Sequence, residues 1–150
     1  MKKYEFSLER IRDYKNQMLG REKNILLGLR MERRGLEDRI SALDADYEKI
    51  NDEMHGNFEE GMTVSQINIY EFRKNGVREE KRVLLKRIEF LDISIERQQK
   101  RVKSLKQEVS GLDKLEEKQL EEYNAALNKE QELVISEFVS SNYGKDGTGI

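Results

Sequence analysis

The chain contains no cysteine, no proline and no tryptophan, and only one histidine. Without cysteine there is no disulfide framework and no thiolate to bind a metal or attack a substrate. Without proline, nothing in the chain must interrupt a helix by removing a backbone donor. The longest apolar runs are a few residues, so no segment reads as a membrane span and direct membrane insertion is not expected. After Lys2 and Lys3 the sequence turns polar, without the apolar core of a signal peptide. A soluble cytoplasmic protein is the expectation.

Charge is abundant instead: 39% of the 150 residues are charged and the mean hydropathy is −0.87. That is too polar for a compact globular core, and such a composition also describes disorder. Periodicity decides against disorder. Leu84, Ile88, Leu91, Ile95, Gln98, Val102, Leu105, Val109 and Leu112 follow one another in alternating steps of three and four. Such steps keep a narrow stripe on one side of a helix, the seam of a coiled coil, which a partner helix must bury.

The net charge of −2 is unevenly placed. Residues 1–40 hold 11 Lys/Arg against 7 Asp/Glu, and residues 41–70 hold one against 7. Residues 71–110 hold 12 against 7, and residues 111–150 hold 4 against 9. A nucleic-acid binder presents a dominant basic surface, whereas here the sign alternates, so no nucleic-acid partner is expected.

The signals predict one domain, residues 1–150, made of two helices. Helix 1 spans about 7–55 with Ser7 as N-cap, and Phe6 is placed to staple onto Ile11. Its seam reads Leu8, Ile11, Met18, Ile25 and Leu29, then Leu36, Ile40, Leu43, Tyr47, Ile50 and Met54. Two successive steps of four, from Glu32 through Leu36 to Ile40, predict a stutter. Gly56 suits the left-handed position that closes a helix, and residues 56–63 form the turn. Thr63 and Gln66 fit a capping box, with Met62 placed to staple onto Ile67. Helix 2 then runs over 64–139, followed by a flexible tail at 140–150.

A short loop between long helices predicts an all-α fold, a long antiparallel two-helix coiled-coil hairpin whose second helix is the longer. With Met54 opposite Ile67, Leu43 faces Val77 or Arg78 and Leu8 faces Leu112 or Asp113. Asp44, Asp46 and Glu48 then lie near Arg73, Lys74 and Arg78. The longer helix leaves Leu120, Tyr123, Leu127, Val134 and Phe138 without a partner in the chain, which marks an interaction site. A second set, Ile69, Phe72, Val83, Phe90 and Ile93, falls at the outer heptad positions of helix 2 and forms a broken apolar strip facing water.

Nothing points to catalysis. His55 reads as a turn residue, and acid pairs such as Glu59-Glu60 and Glu121-Glu122 have no burial to shift their pKa values. No phosphate loop, metal spacing or nucleophile motif is present. No enzyme, cofactor or metal is expected.

The run Tyr4-Glu5-Phe6-Ser7-Leu8-Glu9-Arg10-Ile11, with Asp13-Tyr14-Lys15 after it, resembles the start of the FliJ family of bacterial flagellar protein export. Ile67-Asn68-Ile69-Tyr70-Glu71-Phe72 resembles that family's second-helix start, and Glu116-Glu117-Lys118 with Glu137-Phe138 its C-terminal pattern. The likeness covers the whole chain. It implies a fold like the central stalk of rotary ATPases and a place in flagellum biogenesis and type III secretion. It also implies three partners: the hexameric flagellar export ATPase, the membrane export gate and export chaperones. Localisation would be cytoplasmic and peripheral to the inner membrane.

The termini end, with Phe6, Leu120, Tyr123, Leu127, Val134 and Phe138, would meet the ATPase. The turn-proximal patch, with Tyr47, Ile69, Phe72, Val83, Phe90 and Ile93, would meet the gate. Gly76 and Glu79 interrupt that patch, and Tyr47 also lies on the seam. A self-assembling structural coiled coil and the equivalent stalk of a virulence secretion system are the competing readings.

Overall fold

The computed structural model describes residues 2–147, with side chains through Gly144. Two helices, α1 (Glu9–Glu59) and α2 (Val64–Gly147), pack against each other antiparallel, and α2 is the longer. No strand is present among the described residues. Packing divides the chain into two units, one of Met1–Leu19 with Ser104–Ile150, the other of Gly20–Lys103.

In the Gly20–Lys103 unit the core is a line of Leu26, Leu43, Ile50, Ile88, Leu91 and Val102, all buried. Leu43 and Leu91 are almost wholly enclosed. Burying each such side chain contributes about 1.5–3 kcal/mol, and charge elsewhere costs the helices little. Gln98, 7% exposed, is the buried polar residue of this line. Its amide donates to the Glu22 carbonyl at 2.9 Å and also to the Glu22 carboxylate, so its burial is matched by hydrogen bonds.

Cross-helix ion pairs flank the seam: Glu53 with Arg73 at 3.1 Å, Arg39 with Glu80 at 2.9 Å, and Glu32 with Arg87 at 2.9 Å. Asp44 meets Lys81 at 2.7 Å, not the expected Arg73, Lys74 or Arg78. Tyr47 sits between Lys74 and Arg78, whose cationic groups lie 5.5 and 5.2 Å from its ring centroid.

The α2 seam from Leu84 to Leu112 has the expected frame, each position buried or half-buried. The α1 frame differs. Its covered positions are Arg12, Lys15, Leu19, Glu22, Leu26, Leu29, Arg33 and Leu36, then Ile40, Leu43, Tyr47, Ile50 and Met54, with Met18 half-buried beside Leu19. Steps of three and four alternate without a break, so α1 has no stutter. Ile11 and Ile25, expected on the seam, are exposed, and the neighbours one residue later replace them. A regular α2 seam needs a regular partner, and long Arg, Lys and Glu side chains can lie along a seam with their charges in water.

The ends of α1 also differ from expectation. Ser7 and Leu8 form a turn in which the Glu9 amide donates to the Phe6 carbonyl at 3.2 Å. Phe6 is buried under the Arg12 guanidinium, 5.2 Å from its ring centroid, rather than stapled to the exposed Ile11. At the other end Gly56 stays helical and α1 continues to Glu59. Asn57, donating to the Tyr70 hydroxyl at 2.6 Å, ties the added turn to α2. The left-handed conformation falls on Gly61, with φ 93°.

The capping box of α2 is formed: the Thr63 amide donates to the Gln66 side chain at 3.0 Å, and the Gln66 amide to the Thr63 hydroxyl at 3.3 Å. Past Val139, α2 continues to Gly147 where a tail was expected; no residue there breaks the backbone ladder, and glycine weakens a helix without ending it. The last three residues of that expected tail lie outside the described residues.

Candidate partner-binding surfaces

In the Gly20–Lys103 unit, Ile69, Phe72, Val83, Phe90 and Ile93 all lie exposed on α2, with Phe72 at 80%. With Gly76, Glu79 and Lys86 between them they follow steps of three and four along the side of the helix away from its seam. Val64, one turn before Ile67 in the chain, is exposed as well. Gly76 and Glu79 stand between Phe72 and Val83 on the same side, and Glu79 is engaged there. Arg82 donates to its carboxylate at 2.9 Å. That hydrogen bond holds the Glu79 carboxyl below its ordinary range and raises the Arg82 guanidinium.

Tyr47 does not join this strip. It is half-buried on the seam of α1, and its hydroxyl accepts a hydrogen bond from Arg78. The seam packing that made it a core residue by spacing therefore withdraws it from the outer surface.

In the other unit, the residues expected to form one stripe divide into covered and bare members. Phe6 is 6% exposed and cannot be a free contact. The non-helical segment that carries it lies on α2. Tyr4 packs on Tyr123 with ring centroids 5.5 Å apart, and its hydroxyl donates to the Glu116 carbonyl at 3.4 Å. The Tyr123 hydroxyl donates in turn to the Lys2 carbonyl at 2.7 Å. Arg12 pairs with Glu116 and, at 3.5 Å, with Asp113.

Tyr123 is therefore held within the chain, Leu127 is half-buried, and Leu120 lies at the edge of exposure. Val134 and Phe138 are bare, Phe138 at 65%. Ile135 and Val139 stand beside them and are equally open, although the stripe read from spacing did not include them. The signal was present as the apolar triplet Leu133-Val134-Ile135 followed by the doublet Phe138-Val139, a broader face than a seam requires.

Among the described residues no group of three His, Cys, Asp or Glu is placed to hold a metal ion. Both surfaces carry exposed apolar side chains on continuous helix.

Of the comparisons with known proteins, the family model described as "Flagellar FliJ protein" matches residues 4–148. Neither a curated protein nor a solved structure matches the chain.

Proposed function

The chain belongs to the flagellar FliJ family and is a component of the flagellar export apparatus; from that premise we propose that it works there as a non-enzymatic coupling subunit. In this reading it binds the hexameric export ATPase through the bare end of α2. It contacts the membrane export gate through the outward strip of α2, and it meets export chaperones. ATP hydrolysis belongs to the partner, and this chain supplies contacts alone.

The observation that carries the reading is the open face of Val134, Ile135, Phe138 and Val139. Four large apolar side chains share one end of a helix with nothing over them in the described residues. Such a face is costly to leave in water and marks a binding surface. The matched family is flagellar, which favours the flagellar apparatus over a virulence system.

Replacing Val134 and Phe138 with serine is expected to weaken capture of the export ATPase while helicity by circular dichroism stays unchanged. Undiminished capture would remove this face from the mechanism. If light scattering instead finds a stable dimer that the same double variant dissolves, the self-assembly reading takes its place. Replacing Phe72 and Val83 with serine is expected to weaken binding of the gate's cytoplasmic domain. An unaltered titration would separate the strip from the gate.

A further inference from the structure

The outward strip of α2 is more than an apolar line. Between Arg82 and Arg101 the outer side of the helix carries Val83, Phe90 and Ile93 together with Arg82, Lys86, Arg97 and Lys100, and Arg101 stands at its edge beside the seam. The three apolar side chains are each more than half exposed, and the five cations are exposed as well. Over this segment six Lys/Arg stand against three Asp/Glu. Two of the three acids are already engaged: Asp92 accepts from Arg33 at 2.6 Å, and Glu96 pairs with Lys100 at 3.5 Å. Arg82 and Arg87 have partners in Glu79 and Glu32. Among the described residues Arg97 and Arg101 have no ion pair and Lys86 has only a longer-range attraction to Glu79, against Glu89 as the one acid left over.

An apolar line with uncompensated cations on the same face is the pattern of a helix that lies in a membrane interface. Apolar side chains reach the acyl boundary while Lys and Arg extend to phosphate oxygens. We propose that this face of α2, from Arg82 to Arg101, lies on an anionic phospholipid surface. No helix of the described residues is long and apolar enough to cross a membrane, so the contact is peripheral. Charge complementarity selects anionic over zwitterionic lipid. The aliphatic Val83 and Ile93 select lipid over nucleic acid, whose phosphates they cannot recognise and whose bases stack on aromatic rings. This deepens the peripheral localisation implied by the family and does not depend on the ATPase contact.

The test is flotation of the full chain with vesicles of phosphatidylglycerol and phosphatidylethanolamine, beside vesicles of phosphatidylcholine alone. The chain is expected to float with the first and not the second, and to be released as salt rises from about 0.1 to 0.5 M, where screening shortens. Two variants, each altering only exposed side chains, divide the contributions. Lys86→Gln with Arg97→Gln and Arg101→Gln is expected to lower partitioning at least about tenfold, since each cation near an anionic surface contributes about fivefold. Phe90→Ser with Ile93→Ser is expected to lower it severalfold at unchanged helicity.

Equal flotation with both vesicle types, or none with either, overturns the proposal. So does anionic binding that both variants leave intact, which would assign the contact to another surface. Tight binding of a single-stranded oligonucleotide, lost in the charge variant, would make the face a polyanion site and overturn the lipid assignment. Loss of gate binding in a lipid-free titration bears on the gate reading alone.

Discussion

Leu43 and Phe138 are both large apolar side chains on helices, and their removal has opposite consequences. Leu43 is 2% exposed at the centre of the Gly20–Lys103 seam. Truncation to alanine is expected to cost about 2–4 kcal/mol, because the space cannot fully collapse, and chemical denaturation would read it as a lower midpoint. Phe138→Ala should stay within about 0.5 kcal/mol in the same assay, since it leaves no cavity. Glu79 offers a titration at the same scale. Its carboxyl is held low first by the hydrogen bond from Arg82, then by that charge. A folded-state pKa below the unfolded one stabilises above the unfolded pKa, and the effect is lost as pH falls through the folded pKa. The group is fully exposed, so the readout is the titration itself: Arg82→Gln should raise the Glu79 pKa by NMR.

At the scale of the element, the turn distinguishes two glycines that look alike in the sequence. Gly56 is helical, and a methyl group added there meets nothing within 4 Å. Gly56→Ala should therefore stabilise by about 1 kcal/mol. Gly61 holds φ 93°, and Gly61→Ala should cost about 1–2 kcal/mol by thermal denaturation. The closing signal was read at Gly56, and the bond from Asn57 to Tyr70 ties down the turn that carries α1 on towards Gly61. The frame of α1 has the same character. Exposed Ile11 and Ile25 and half-buried Met18 stand one residue before Arg12, Leu26 and Leu19 at identical spacing. Local hydrophobicity favoured the first set, and the regular seam of α2 selects the second. The α2 seam itself was legible because its every position from Leu84 to Leu112 is apolar except Gln98, which is paired.

For the molecule as a whole, stability should follow the seam and not the charges. The cross-helix pairs of the Gly20–Lys103 unit are about half exposed, as with Arg39 and Glu80 at 51% and 46%, and such pairs contribute about 1 kcal/mol or less each. Raising salt from about 0.1 to 0.5 M should move the melting midpoint by only a few degrees, as followed by circular dichroism. The two-helix fold and its unequal lengths were readable from periodicity and capping signals, since both are local. The surfaces were readable in part. Ile69, Phe72, Val83, Phe90 and Ile93 emerged from heptad position alone. Phe6, Tyr47 and Tyr123 did not, because their exposure is set by what another part of the chain lays over them.

A seam without a stutter repeats itself every seven residues, so sliding one helix along the other by a heptad recreates nearly the same apolar fit. Besides the flanking ion pairs, such a slide would set Gln98 against Leu29 and cost Glu22 its amide partner. One polar couple thus acts as the index mark that tells the chain where its two strands of the zipper begin to match.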